Sequence, residues 1–219
     1  GNVAENAGGV HCLKYGLTVH NVLAVKLVTV DGELLEIGTA APDGPGHELL
    51  ALLHGSEGML GVVVEITVKL LPKPPVTKTL LAAFASVQSA GDAVAAIISA
   101  GIIPAGLEFM DNPAIRAAED FVQAGYPVEA AAILLCELDG HPEEVEAGLS
   151  QVERLLAAHA ASEIRLAASE AERVRFWAGR KNAFPAVGRI SPDYYCMDGT
   201  IPRKHLAEVL KRIHQLSEQ

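Results

Sequence analysis

GVVVEITVKLLPKPP (Gly61–Pro75) decides how this chain is divided and what kind of sheet it builds. Val62, Val64, Ile66, Val68 and Leu70 fall on one face, and Glu65, Thr67 and Lys69 on the other. That alternation predicts a half-buried strand with the first set inward. Pro72–Pro75 cannot continue a central strand and reads as a stiff linker. A domain boundary is therefore predicted there, giving regions 1–75 and 76–219.

Working upstream, VLAVKLVTV (Val22–Val30) runs into Asp31-Gly32 and then ELLEIG (Glu33–Gly38), a hairpin signal. HELLALLHG (His47–Gly55) reads as a short helix. Downstream, strands and helices alternate. Thr79–Ala85, Gly106–Met110 and Ala130–Leu138 are predicted strands. Ser89 with Asp92 resembles a capping box for a helix ending near Gly101. Asn112-Pro113 reads as a cap and first-turn proline for a helix stopped by Gly125. Val145, Leu149, Val152 and Leu156 form one helical stripe, with Glu143 and Glu144 near its positive end. Ser169 with Glu172 caps a helix predicted to run to about Phe184, where Pro185 stops it. Tyr194–Ile201 is a predicted strand. Pro202 opens a last helix with Leu206, Val209, Ile213 and Leu216 inward. The expected fold class is α+β, an antiparallel sheet covered by helices.

Half of the 219 residues are hydrophobic and 20% are charged, which fits a packed core. The formal net charge of −10 argues against a general nucleic-acid surface, so no nucleic-acid partner is expected. No uninterrupted apolar run is long enough to span a bilayer, so no integral membrane segment is expected. Three cysteines without paired spacing fit a reducing compartment, and a cytoplasmic location is expected.

Two stretches leave the backbone bare. GNVAENAGG (Gly1–Gly9) carries three Gly and two Asn, and HGSEGMLG (His54–Gly61) leads directly into the predicted strand. Neither matches GxxxxGK[ST] or the GxGxxG of a first Rossmann strand. Each alone reads as a turn; the pair suggests a site for an extended, phosphate-bearing cofactor. The eight His are scattered, with no HExxH, and no metal site is complete. Cys136 reads as a core residue, and Cys196 lacks a neighbouring base. In FWAGRKNAF (Phe176–Phe184), Arg173, Trp177, Arg180 and Phe184 are spaced to share one helical face, with Gly179 thinning the helix beside Arg180. A guanidinium framed by aromatics can grip a small carboxylate through two parallel hydrogen bonds. On spacing alone, an Arg whose stem covers Trp177, or which pairs with a nearby acid, is the favoured reading.

GNVAENAGG, KYG (Lys14–Gly16), GSEGMLG (Gly55–Gly61) and GRKNAFPAVGRISPDYYCMDGTIPR (Gly179–Arg203) together resemble the D-2-hydroxy-acid dehydrogenases of the vanillyl-alcohol oxidase and p-cresol methylhydroxylase flavoprotein family. The last stretch points to the branch of FAD-linked glycolate oxidase subunits. The resemblance covers essentially the whole chain. It implies that 1–75 is the second half of a bipartite FAD-binding domain and 76–219 a substrate (cap) domain truncated at its C-terminus. It implies FAD contacts from Asn2, Asn6, Ala7, Gly8 and Gly9, and from Gly55, Ser56, Glu57, Gly58, Gly61, Val62 and Val63. The family's substrate-carboxylate Arg falls on Arg180. Phe184 and Cys196 stand where dicarboxylate-oxidising relatives carry Thr and Lys, which favours a short monocarboxylate.

The resemblance further implies a fragment. The front of the FAD domain would precede Gly1. An HxGDGN segment, which supplies metal ligands in many relatives, would follow Gln219. No complete catalytic set and no metal site is expected within the chain; a divalent metal would be held by residues beyond it. The expected parent activity is oxidation of a small 2-hydroxy acid, glycolate first, by hydride transfer to flavin, with the chain alone inactive and a poor binder of FAD. The alternatives are an FAD-dependent D-lactate dehydrogenase and a non-catalytic docking module of a multi-subunit oxidase. Expected partners are other oxidase subunits, an iron–sulfur subunit among them, through which membrane association would arise.

Overall fold

Asp31 and Gly32 turn the chain between two apolar runs, with Gly32 at a φ of 80° that suits glycine. The result is an antiparallel hairpin of β1 (Val22–Val28) and β2 (Leu34–Gly38), as the Asp-Gly signal predicts. β3 (Val62–Val68) pairs with the other side of β1, giving the order β2-β1-β3. The computed structural model describes residues 1–41 and 46–217. They divide into two units, Gly1–Lys73 and Pro74–Gln219.

In the first unit, Val3 of α1 (Asn2–Glu5), Val22, Val25 and Leu27 of β1, and Leu50 and Leu53 of α3 (Leu49–Leu53) form the core. α2 (Cys12–Tyr15) is a single turn. The face predicted inward on β3 is not buried. Val62 is 66% exposed and Val68 50%, and Val63 is the β3 residue that packs on the core. Two features explain this. β3 is an edge strand, and its register against β1 passes from Lys26↔Glu65 to Leu27↔Val63, skipping Val64. That bulge reverses the parity of the faces, so Val62 and Ile66 no longer share a side.

The second unit is a four-stranded antiparallel sheet of β4 (Val76–Phe84), β5 (Gly106–Asp111), β6 (Ala132–Gly140) and β7 (Ala161–Leu166), in the order β5-β6-β4-β7. Leu80, Ala82 and Phe84 of β4 and Leu134 and Cys136 of β6 face α4 (Val87–Ser99) and α6 (Pro142–Ala158). All four residues of the α6 stripe, Val145, Leu149, Val152 and Leu156, are buried, each contributing about 1.5–3 kcal/mol. The opposite face of the sheet carries α5 (Asn112–Val122) and α7 (Glu170–Lys181). The architecture is α+β with antiparallel sheets.

The cap of α4 is Ser86, whose hydroxyl accepts from the amides of Gln88 and Ser89; the Ser89–Asp92 box does not form. Asp111 caps α5, which frees the Asn112 amide to donate to the carbonyls of Val128 and Ala130. Ser169 does cap α7, accepting from the Glu172 amide at 3.2 Å. α7 ends at Lys181, and Pro185 sits in the first turn of α8 (Ala183–Ile190), where its missing N–H costs nothing. Tyr194–Ile201 forms no strand; Tyr194–Thr200 are exposed, and no strand pairs with the segment among the described residues. α9 (Leu206–Ser217), preceded by a 3₁₀ turn at Arg203–His205, buries Ala207 against Gly91 of α4, while Ile213 and Leu216 are about half exposed.

Candidate functional site

The first unit joins its two glycine-bearing segments through the backbone. The Gly55 amide donates to the Val3 carbonyl at 3.0 Å, and the Glu57 amide to Ala4 at 2.9 Å. Asn2 begins α1, and Asn6 ends it in the left-handed region (φ 46°), with its side-chain oxygen accepting from the Val19 amide at 3.0 Å. Ala7 accepts from the amide and hydroxyl of Thr18. Gly8 is packed, since a Cβ there would press on Leu17, whereas Gly9 and Gly58 face open space. Gly55 and Gly58 have positive φ, as does Glu57 (φ 53°), flanking Ser56. Gly61 is structural: with φ 146°, its Cβ would lie 2.6 Å from the Val28 carbonyl oxygen. Val62 and Val63 start β3.

His54 immediately precedes this loop, and its spacing in the sequence carries no signal. It is buried, and its Nδ1–H donates to the Leu50 carbonyl at 2.6 Å. Its Nε2 is buried with no hydrogen-bond partner among the described residues. The open space at Gly9 and Gly58 leaves room for a cofactor to lie against this backbone.

In the second unit, α7 is fixed at three places. Glu137 of β6, 2% exposed, points to this side of the sheet. Its Oε2 accepts from the Thr79 hydroxyl (2.6 Å), Trp177 Nε1 (2.7 Å) and Arg173 Nη1 (2.9 Å). Hydrogen bonding to Glu170, then to Glu137, raises the Arg173 pKa and holds the guanidinium charged. Next, the Tyr126 hydroxyl accepts from the Arg180 amide at 3.1 Å and donates to the Phe176 carbonyl. Burial raises the phenol pKa, keeping this bridge protonated. Gly179 is required here because a Cβ would overlap the Tyr126 ring. Finally, Arg180 Nε donates to Glu108 Oε2 of β5 at 2.5 Å, with the two side chains 33% and 18% exposed.

The predicted face of Arg173, Trp177, Arg180 and Phe184 is therefore only partly assembled. Trp177 turns inward to Glu137, and Phe184 lies beyond the break at Asn182, on α8. An aromatic group that does touch Arg180, at its backbone amide, is Tyr126, 54 positions away in sequence and without a local signal. Arg180 pairs with a nearby acid, as spacing alone favours. Cys136 is buried with its thiol pushed up to about 12, and Cys196 is exposed. Among the described residues, no group of three or more His, Cys, Asp or Glu is placed to hold a metal ion. Among the same residues, no helix is long and apolar enough to cross a membrane.

The fold and these loops define a class, and the comparisons identify it: the chain belongs to the FAD-linked oxidases, whose C-terminal domain matches residues 73–219. An FAD binding domain matches residues 1–38. The cofactor of the class is FAD. The chain is 67% identical over all 219 residues to the glycolate oxidase subunit GlcD of Escherichia coli, of which it spans 44%. It is 31% identical to a D-lactate dehydrogenase of Anaerostipes hadrus, with 96% of this chain and 46% of that protein covered. Alkyldihydroxyacetonephosphate synthase has the same fold, with a TM-score of 0.74 at 18% identity over 98% of this chain and 44% of that one. The chain thus spans about half the length of the curated relatives it matches.

Proposed function

We propose that this chain forms part of an FAD-dependent oxidoreductase that converts a small 2-hydroxy acid, glycolate foremost, to the 2-oxo acid. The observation that carries the reading is Arg180. Its guanidinium is held at Nε by Glu108, and it lies in a chain 67% identical to a glycolate oxidase subunit. Region 1–75 serves as the later part of an FAD-binding domain, with the loops at Asn2–Gly9 and Gly55–Val63 lying along the cofactor. Region 76–219 serves as the substrate domain.

Bound FAD would supply the hydride acceptor for the α-carbon hydrogen, and the hydroxyl proton would pass to a base elsewhere in the full-length flavoprotein. The chain's own part is to hold and orient. Backbone amides of the glycine loops approach the cofactor closely, and Arg180 anchors the substrate carboxylate through paired N–H donors. D-lactate is the second candidate substrate, favoured by the identity with the Anaerostipes enzyme. Because the Escherichia coli relative is a subunit, other oxidase subunits, an iron–sulfur subunit among them, are the proposed partners, in the cytoplasm and at the membrane only through those partners.

The test is Arg180→Ala in the full-length flavoprotein that carries this sequence. Anaerobic flavin bleaching by glycolate should slow, with kcat/KM lower by at least a hundredfold, about 2.7 kcal/mol. Unchanged glycolate kinetics would remove Arg180 from the site.

A further inference from the structure

Arg180 is held from two directions, and the way it is held leaves one end free. Glu108 takes Nε. Nη1 and Nη2 have no hydrogen-bond partner among the described residues. Those two nitrogens form the end-on fork that matches a carboxylate. A floppy Arg would have to order several rotors on binding; one fixed at Nε has already lost much of that freedom.

The backbone beneath it is set by Tyr126. The Arg180 amide and the Phe176 carbonyl are the pair that the helix's own i→i−4 bond would join. The Tyr126 hydroxyl bridges this pair, and the absence of a side chain at Gly179 makes room for the ring. That hydroxyl ties the α7 backbone at Phe176 and Arg180 to the Tyr126 segment. Tyr126 thereby sets where the Arg180 Cα stands, and Glu108 sets where its guanidinium points. Neither residue is needed for the hydrophobic core around α4 and α6, which lies on the other face of the sheet.

We propose that Glu108 and Tyr126 are positioning residues that present the terminal nitrogens of Arg180 to a single substrate carboxylate. This rests on the reading of Arg180 as the carboxylate anchor. Glu108 is not a competitor for the seat, because it occupies Nε and leaves the fork open.

The experiment uses the full-length FAD-loaded protein, with glycolate as substrate and acetate, which has no hydroxyl to oxidise, as a binding probe followed by flavin absorbance. Glu108→Ala should raise the KM for glycolate and the Kd for acetate at least tenfold, with kcat changed less than threefold. Glu108→Gln, which keeps an acceptor for Nε, should return both to within threefold of the parent. Tyr126→Phe keeps the ring and removes the bridge; it should raise the acetate Kd at least threefold at unchanged flavin content.

Constants within twofold of the parent in Glu108→Ala and Tyr126→Phe overturn the proposal, as does tighter acetate binding in Glu108→Ala, which would make Glu108 a competitor. Should Glu108→Ala lose flavin or melt early, Tyr126→Phe decides alone. Arg180→Ala separates the two levels. If it leaves acetate binding intact, the anchor reading fails. If it abolishes binding while the other variants bind normally, only the positioning proposal fails.

Discussion

Replacing Glu137 with Leu should destabilise the second unit by about 3–5 kcal/mol, the range for breaking a buried charge pair from one side. The structure gives the reason for this size. One carboxylate oxygen accepts from Thr79, Trp177 and Arg173, and Thr79, Trp177 and Glu137 are all under 5% exposed. Leu removes the shared acceptor while its donors stay in place, and each buried donor left unmatched costs about 1–3 kcal/mol. The Arg173 side chain is 25% exposed and can turn toward water and Glu170, which holds the sum below a simple addition. For a unit of about 150 residues the midpoint should fall by about 6–20 °C. Trp177 is the chain's single tryptophan, so its fluorescence in a urea or thermal titration reports this unit alone. Glu137→Gln, which keeps an acceptor and loses the charge, should cost about 1–2 kcal/mol. A loss below about 1 kcal/mol for Glu137→Leu would refute the view that this carboxylate fastens α7 to the sheet.

Gly179→Ala should cost about 1–3 kcal/mol in the same titration, because the new methyl overlaps the Tyr126 ring; a neutral result would mean the ring yields freely. Gly61→Ala should destabilise the first unit by about 2 kcal/mol or more, since φ is 146° and the methyl meets the Val28 carbonyl; hydrogen exchange of the β1 amides should rise with it. Burial raises the Cys136 pKa from 9.0 to about 12, so the folded state favours the neutral thiol. Its stabilising contribution is full below pH 9 and is lost as pH rises toward 12. The urea midpoint should fall across that window and fall less in Cys136→Ala, while thiol reagents at pH 8 label exposed Cys196 well ahead of Cys136.

What could be read from the chain was what local rules govern. The α6 stripe follows from a 3.6-residue period, the β1–β2 hairpin from Asp31-Gly32, and the α7 cap from Ser169. What could not be read depended on partners distant in sequence. β7 carries no strand signal of its own, because Ser162, Glu163 and Arg165 break its apolar pattern and pairing with β4 defines it. The alternation in β3 does not predict its burial, because a single-strand pattern carries no sign of a bulge at Val64 or of an edge position. Tyr194–Ile201 has strand-like composition but no strand beside it among the described residues. Glu137 was hidden in an apolar run; the available clue was a carboxylate amid a buried strand together with Arg173 and Trp177 four apart on a later helix. Arg180 was visible as a candidate, but the two residues that hold it, Glu108 and Tyr126, lie 72 and 54 positions away.

The bulged edge strand β3 also bears on how this chain behaves in a refolding vessel. Among the described residues one side of it has no strand partner, and several half-exposed valines and an isoleucine lie on its surface. Two such edges can meet, and that encounter is second order in protein, whereas closure of β3 onto β1 is first order. Recovery of native chain after dilution from denaturant should therefore decline as protein concentration rises, and a lysine at Val64, the bulge position, should flatten that dependence.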